Sequence, residues 1–186
     1  EFSSSEIVLL GNLHPTVQNA VINQSTNPSR FIIMDTMNFW MDNTLDELLS
    51  VIKKVNLIII NDEEAQQLTG EKNIFNAGEK MLKMGPTKVI IKKGEHGAIY
   101  LDGNNKFILP AFPVTRLVDP TGAGDSFAGG IAGLLSTKNK KKDIKIKKVS
   151  KPIKSFFSNK FKWIPESHLA YCVSLSLSND QYAHGL

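Results

Sequence analysis

The sequence predicts an α/β domain in which a mostly parallel sheet is flanked by helices. Two patterns in residues 1–136 predict this class: short apolar runs rich in β-branched residues, and segments with helical spacing between them. Short links between such segments are typical of strand–helix–strand units, which place parallel strands side by side. The hydrophobic content of 41% in 186 residues is enough for the core of one such domain.

Six strands are predicted along this region. Two of them, Ala98–Leu101 and Lys106–Leu109, flank the turn-forming stretch Asp102-Gly103-Asn104-Asn105 and predict a β-hairpin on the same sheet. The other four runs hold few polar residues, which favours strands covered on both faces. They are Ile7–Leu10, Phe31–Met34, Leu57–Ile60 and Val89–Ile91.

Helices are predicted between these strands from their start and stop residues. One follows Pro15, a favourable residue early in a helix. A second follows Asn43 and Thr44, which are both good N-cap residues. A third follows Asn76 and ends at Gly85-Pro86.

Residue 136 is the predicted end of this partial domain. Eleven lysines and a single acid, Asp143, fall between residues 137 and 162, with neither a helical face nor a clean alternation. We expect residues 137–186 to form a lysine-rich, poorly ordered tail. Aromatic residues among lysines can stack on bases, but a solvated tail is the simpler interpretation, so nucleic acid is not the expected partner.

Composition argues against several other classes of protein. The single Cys172 cannot form an intramolecular disulfide, which fits a cytoplasmic protein. The four histidines are far apart and lack metal-site spacing. No apolar run approaches the roughly 20 residues of a membrane span, and no signal peptide opens the chain. We therefore expect a cytoplasmic protein without a membrane partner, and the sequence does not indicate an oligomeric state.

The most informative motif is DPTGAGDSFAGG at residues 119–130. The small residues Gly122, Ala123 and Gly124 allow a tight bend that brings backbone N–H groups close to a ligand. A helix beginning near Gly124 would direct its free N–H groups and positive dipole end to the same place, which predicts an anion site suited to phosphate. Asp125, in the first turn, is stabilised as an anion and is a candidate base. An ordinary capped turn is the alternative.

This whole string resembles, position by position, the second signature of the PfkB family of ribokinase-like carbohydrate kinases. The resemblance covers about residues 6–136. It implies an ATP-dependent phosphotransferase acting on a sugar or sugar-like hydroxyl, with Asp125 as catalytic base and Gly122, Ala123 and Gly124 as anion hole. Phosphoryl transfer needs positioning, charge neutralisation and a base near the acceptor hydroxyl, and this motif supplies the last two.

A second stretch, NDEE, also resembles a family motif. Asn61 and Glu64 directly follow a predicted strand and match the family's Asn-x-x-Glu motif, which organises Mg²⁺ and its waters near the phosphates. Mg²⁺ favours oxygen ligands and keeps several waters, so an amide and a carboxylate at a strand end suit it. A simple helix N-terminus is the alternative interpretation.

A third stretch, KKGEHGA, resembles the loop that lies along the nucleotide in the family. This implies nucleotide contacts at Gly94 and Gly97, and also at Thr121 in the signature, although a plain turn between strands would have the same glycines. Either Lys92 or Lys93 could touch a phosphate, but exposed lysines usually do not.

Two further expectations rest on position and resemblance. Asp35, Thr36 and Asn38 follow a strand and could face the active site, as the corresponding strand end does in the family, whereas Trp40 is expected to pack. A monovalent cation near Asp119 is compatible with the resemblance. The expected small-molecule partner is a sugar or nucleoside.

Family members carry an N-terminal half that holds the acceptor sugar, and nothing in this sequence corresponds to it. We therefore expect an incomplete domain, a fragment with impaired activity. The alternative comes from a different class: a non-catalytic remnant that binds nucleotide weakly, or that binds an anionic partner through its basic tail.

Overall fold

Six strands lie side by side in chain order in one sheet of this computed structural model, which describes residues 3–113 and 119–136. They are β1 (Ile7–Leu10), β2 (Phe31–Asp35), β3 (Leu57–Asn61), β4 (Lys88–Lys92), β5 (Ala98–Asp102) and β6 (Lys106–Leu109). Strands β1 to β4 are parallel, whereas β5 is antiparallel to both β4 and β6. The β5–β6 pair is the predicted hairpin.

Helices cover both faces of this sheet. They are α1 (Pro15–Gln24), α2 (Asn38–Asn43), α3 (Leu45–Ile52), α4 (Asp62–Thr69), α5 (Ile74–Leu82) and α6 (Ala123–Ser136). Buried residues of the first five helices pack against one face of the sheet. On the opposite face, α6 buries Phe127, Ala128 and Ile131 against the strands. The described part of the chain is therefore a three-layer α/β structure.

Strand β3 shows why the strands are so apolar. Each residue of Leu57–Ile60 has no exposed surface. Ile58 and Ile60 point to the core shared with α1 to α5, whereas Leu57 and Ile59 point to the core shared with α6. A strand covered on both faces has no solvent side, so a continuous apolar run replaces the alternating pattern.

The predicted α/β class and all six strands are confirmed, with each strand end within one residue of its prediction. Helix starts were predicted less well. Pro15 is the first residue of α1, and Thr44 is at the N-cap position of α3, but the Thr44 hydroxyl donates to the Trp40 carbonyl and does not cap the helix. The predicted start of α5 after Asn76 was wrong, because the Asn73 side chain caps this helix by accepting from two of its N–H groups.

Helix α2 was not predicted. Trp40, on this helix, packs as expected: its ring makes edge contacts with His14 and Phe39 and its N–H donates to Asn12 at 2.8 Å. Within the described residues, no helix combines the length and the apolar character needed to cross a bilayer. The predicted tail at residues 137–186 lies outside the described residues.

Candidate active site

Three polar side chains stand at the carboxyl ends of neighbouring parallel strands. Asp35 ends β2, Asn61 ends β3 and Lys92 ends β4. Parallel strands all end at the same edge of a sheet, so these residues come together, and Asn61 and Lys92 are direct partners in the β3–β4 register. In open α/β sheets, ligands bind in the crevice beyond this edge.

The first turn of α6 reaches the same edge. Gly122, just before the helix, has a φ of +75°, a left-handed conformation that glycine adopts without steric cost. The N–H of Ala123 donates to the Pro120 carbonyl oxygen at 3.0 Å, so this donor of the predicted anion hole is committed to the turn. The N–H groups of Gly122 and Gly124 have no hydrogen-bond partner in the described part of the chain, and they are the donors left for a ligand.

Gly124 allows α6 to approach Lys92 closely. A methyl group at residue 124 would lie 3.1 Å from Nζ of Lys92 and 4.0 Å from Oδ2 of Asp35. The Lys92 ammonium in turn lies 3.4 Å from Oδ1 of Asp35. A helix N-terminus, an ammonium group and a carboxylate therefore meet at one point.

Burial dominates the electrostatics of Asp35. This residue is only 5% exposed, and loss of solvent raises the pKa of its carboxyl, while Lys92 and the Thr36 N–H act in the lowering direction. The negative charge of Asp125 adds a smaller rise to this pKa, which places the Asp125 carboxylate within electrostatic reach of the strand edge. Asp35 thus lies beside Lys92 at this strand edge, and the expectation that it faces an active site stays a prediction.

Asn61 and Glu64 form a reciprocal capping box at the start of α4. The Glu64 N–H donates to Oδ1 of Asn61 at 2.7 Å, and the Asn61 N–H donates to Oε2 of Glu64 at 2.9 Å. Burial raises the pKa of the Glu64 carboxyl, against lowering by the Asn61 N–H and by Lys92. The helix-start alternative is therefore realised in the geometry, and it leaves the second carboxylate oxygen of Glu64 outside the capping box.

The described ranges, residues 3–113 and 119–136, contain no group of three His, Cys, Asp or Glu side chains that could hold a metal ion between them. A cation at this edge would therefore have few protein ligands. Mg²⁺ usually keeps several waters and binds one or two carboxylates together with substrate phosphates. Glu64 and Asn61 fit an ion of that kind, held through water.

The two glycines of the loop after β4 differ in their surroundings. Gly97 has a φ of +93°, and a methyl group there would lie 1.9 Å from the Leu109 carbonyl oxygen, so this position needs glycine for the backbone alone. Gly94 has a φ of +52° and nothing within 4 Å of an added methyl group. Gly94 is therefore the more informative of the two for ligand contact.

An open cavity of about 270 Å³ lies between these elements. Five of its lining residues are predicted site residues, and they come from three separate parts of the sequence: Asn61, Gly94 with Gly97, and the adjacent pair Ala123 and Gly124. Its other walls are Lys92 and Phe127. The long loops and strands between these residues in the sequence hid their proximity.

The remaining predicted residues do not line this cavity. Asp125 is exposed in the first turn of α6. Thr121 is also exposed, and its N–H donates to Oδ1 of Asp119 at 2.8 Å. Asn38 is exposed at the start of α2, where its side chain accepts from the Phe39 N–H, and it does not line the cavity. The expectation that it faces the active site stays a prediction.

Two residues that line the cavity were not predicted as site residues: Lys92 was expected to be an exposed lysine, and Phe127 was not considered. Lys92 was treated as an exposed lysine, but its side chain is only 20% exposed, because Asp35 and Gly124 enclose it. Phe127 follows the candidate base by two residues and faces the core with one edge on the cavity. The signal for Lys92 was its position as the last residue of a buried strand, beside Asn61 in the register.

The chain matches the model of the family described as pfkB family carbohydrate kinase over residues 5–146. It therefore belongs to the pfkB family of carbohydrate kinases, as the glycine-rich motif predicted. The match extends past residue 136, and the domain boundary placed there stays a prediction.

Relatives include both nucleoside and sugar-acid kinases. Cytidine kinase of Thermococcus kodakarensis is 36% identical over 87 residues, which cover 46% of this chain and 31% of that protein. The 2-dehydro-3-deoxygluconokinase of Haemophilus influenzae is 33% identical over 103 residues, which cover 53% of this chain and 32% of that protein. The chain thus spans about a third of the length of these relatives.

The ribokinase-like fold is confirmed by solved structures. The aminoimidazole riboside kinase of Salmonella enterica, complexed with aminoimidazole riboside and an ATP analog, superposes with a TM-score of 0.61 at 22% identity. The match covers 74% of this chain and 50% of that chain. The described residues are therefore a part of a ribokinase-like domain.

Proposed function

We propose that this chain is the ATP-handling part of a kinase that transfers the γ-phosphoryl group of ATP to a hydroxyl group of a sugar or nucleoside. The observation that supports this proposal is the start of α6, where Asp125 in the first turn follows Gly122 and Gly124, whose N–H groups have no hydrogen-bond partner among the described residues. A base and a set of anion-binding donors within four residues are the parts that phosphoryl transfer requires of the protein.

In this proposal, Asp125 is the catalytic base. It accepts the proton of the acceptor hydroxyl as that oxygen bonds to phosphorus, and the former β–γ bridging oxygen leaves with ADP. The N–H groups of Gly122 and Gly124 donate to the oxygens on which negative charge increases, and the positive end of the α6 dipole acts in the same direction. The exposure of Asp125 leaves it accessible to an acceptor.

Bound ATP would supply the phosphoryl group, and Mg²⁺ would neutralise part of its charge. Glu64 and Asn61 are the residues proposed to hold the hydrated ion, because the capping box joins the two side chains and Asn61 lines the cavity. Gly94 and Gly97 line the cavity and Thr121 lies in the signature loop, and we propose all three as nucleotide contacts. The monovalent cation near Asp119 stays a prediction.

The acceptor class follows from the family and its relatives, which include kinases named for a nucleoside and for a sugar acid. We infer that the 186-residue chain by itself turns over slowly, because Asp125 is open to solvent and positioning of the acceptor is a large part of catalysis. The competing hypothesis is a remnant that binds nucleotide without catalysis. The basic tail invoked for an anionic partner lies outside the described residues.

Calorimetric titration with Mg·ATP, followed by a coupled assay of ADP release with a panel of sugars, sugar acids and nucleosides, tests the proposal. We expect Mg·ATP binding, and acceptor-dependent turnover below about 1 per second, an ordinary kinase rate. Binding without any acceptor-dependent turnover would favour the non-catalytic remnant. Absence of Mg·ATP binding would contradict both hypotheses.

A further inference from the structure

An aromatic cluster, formed by His14, Phe39 and Trp40, lies just beyond the carboxyl ends of β1 and β2. The Trp40 ring makes edge contacts with the other two rings, whose centroids lie 5.0 Å (His14) and 4.9 Å (Phe39) from its own. Asn12 accepts from the Trp40 indole N–H at 2.8 Å, and its amide donates to the sulfur of Met37 at 3.0 Å. Both polar groups of the Asn12 side chain are therefore used inside the protein, and they hold the cluster in one arrangement.

This cluster leaves apolar surface open to solvent. Phe39 is 51% exposed, and Leu13, in the segment that follows β1, is 55% exposed. Phe39 lies on α2, where Met41 is the residue that enters the core, so the ring of Phe39 is not needed to fill the described part of the fold. An exposed aromatic ring in a fixed setting offers a face on which another ring can stack.

The aromatic cluster lies within reach of the candidate base. Phe39 is four residues beyond Asp35, and four residues of chain span at most about 14 Å. Asp35 is in turn within electrostatic reach of Asp125. The cavity assigned to the nucleotide is lined from the ends of β3 and β4, by Asn61 among others, whereas the cluster follows β1 and β2, which come before them in the sheet order. A molecule lying over the ends of β1 and β2 would therefore approach Asp125 from the side away from the nucleotide.

The charges at this place favour a neutral molecule. The segments after β1 and β2, which are residues 11–14 and 36–44, contain no lysine or arginine, and they contain the acid Asp42. Asp35 is already paired with Lys92, and Asp125 adds a further negative charge. A carboxylate on the acceptor would meet these acids without a cation from either segment, and an unpaired charge of this kind is an effective means of rejecting a ligand.

We propose that the acceptor is a neutral nucleoside and not a sugar acid, and that its base stacks on the Phe39 ring while its sugar lies toward Asp125. This inference rests on the proposed function and chooses between the acceptor classes that the function leaves open. Stacking on an aromatic ring suits every base, so Phe39 selects the presence of a base and not its identity. The competing role for Phe39 is packing against Trp40 alone, in which case the ring has no effect on ligand affinity.

Fluorescence of Trp40 separates these roles. The chain has two tryptophans, so Trp163→Phe leaves Trp40 as the reporter in the aromatic cluster. Cytidine is titrated into this variant with saturating Mg·ADP, which fills the nucleotide cavity and keeps the base out of it. We expect a saturable change in Trp40 emission. Ribose, which lacks the base, and gluconate, which carries a charge, should each displace cytidine at least about ten-fold less well than adenosine does.

Substitutions of Phe39 in the same background test the stacking contact. Phe39→Ala should weaken cytidine binding about ten-fold, the usual effect of removing one base–aromatic stack, whereas Phe39→Tyr keeps a ring and should keep the affinity. Ile108→Ala is the matched control, because Ile108 is an exposed apolar residue on β6, at the opposite edge of the sheet from β1. It should bind cytidine as the background variant does.

Three outcomes would overturn the inference and leave the proposed function standing, provided that the chain binds Mg·ATP. They are an emission that cytidine does not change, displacement by gluconate as effective as displacement by adenosine, and equal cytidine affinity in Phe39→Ala and Ile108→Ala. Failure of the unchanged chain to bind Mg·ATP would overturn both the inference and the proposed function.

Discussion

Glu64 and Asn61 hold each other through two hydrogen bonds of 2.7 and 2.9 Å at the start of α4. The same two residues are thus a capping box and the candidate Mg²⁺ motif. A single substitution that removes Glu64 would confuse these roles, because a loss of ATP binding could follow from damage to the helix. Glutamine at this position keeps an acceptor for the Asn61 N–H and removes the charge, so it separates them.

We expect Glu64→Ala to lower the free energy of unfolding by about 1 kcal/mol, the net value of one hydrogen bond, and Glu64→Gln to cost less. Burial already penalises the charged carboxyl, since it raises the Glu64 pKa, so neutral glutamine is tolerated. Urea unfolding measures this difference.

ATP titrations with and without Mg²⁺ test the cation role. In Glu64→Gln, added Mg²⁺ should strengthen ATP binding much less than it does in the unchanged chain, whereas Glu63→Gln, which changes an exposed neighbour, should keep the full effect of Mg²⁺. Equal Mg²⁺ dependence in both variants would remove Glu64 from the cation site.

The two glycines after β4, Gly94 and Gly97, can be tested separately for a requirement of the backbone and for contact with the nucleotide. Gly97→Ala should destabilise the protein by roughly 3 kcal/mol, because the positive φ and the close Leu109 carbonyl both oppose a side chain. Gly94→Ala should cost only about 1 kcal/mol, from its positive φ alone, and should weaken ATP binding by extending into the cavity. Thermal unfolding and ATP titration are the two measurements. A Gly94→Ala protein with unchanged ATP affinity would place the nucleotide away from this loop.

Much of this fold was predictable, because buried strands need apolar runs and Leu57–Ile60 fills both cores without a polar residue. Helix α2 was not, since its six residues carry no apolar periodicity and hold only Met41 in the core. The start of α5 was placed late because Asn73 and Asn76 are both good caps, and only the packed position of Ile74 decides between them.

The candidate site was predictable where one short motif carries it, as at residues 119–130. It was less predictable where tertiary structure decides. Nothing in the sequence near Lys92 indicates that Asp35, which ends β2, would enclose it, or that Gly124 would lie against it. Likewise, nothing in the sequence distinguishes the N–H of Ala123 from those of Gly122 and Gly124. Only its hydrogen bond to the Pro120 carbonyl in the structure does so.

The stability of the protein should depend on pH through Asp35. Burial raises the pKa of this carboxyl above its ordinary value of 3.8, so the folded state binds the proton more tightly than the unfolded state does. The stability from this group is fully present below the unfolded pKa, and it is lost as the pH rises through the folded pKa. Glu64, whose pKa is also raised, contributes in the same direction.

Urea unfolding at a series of pH values from about 3 to 7 measures this effect. The double variant Lys92→Met with Asp35→Asn should show a smaller fall in the free energy of unfolding over that range than the unchanged chain. Asp46→Asn, at an exposed carboxylate on α3, is the control and should keep the fall. A double variant with the full pH dependence of the unchanged chain would mean that Asp35 does not titrate in this way.

The role of Asp125 is the central claim, and acceptor-dependent ADP release by Asp125→Asn tests it most directly. Asp46→Asn is the matched control, because Asp46 is likewise an exposed acid in the first turn of a helix. With an acceptor that the unchanged chain phosphorylates, we expect Asp125→Asn to lose turnover by at least about 100-fold, with ATP affinity and unfolding temperature retained, while Asp46→Asn keeps full turnover. An Asp125→Asn protein that phosphorylates the acceptor as fast as Asp46→Asn would contradict the proposed catalytic role.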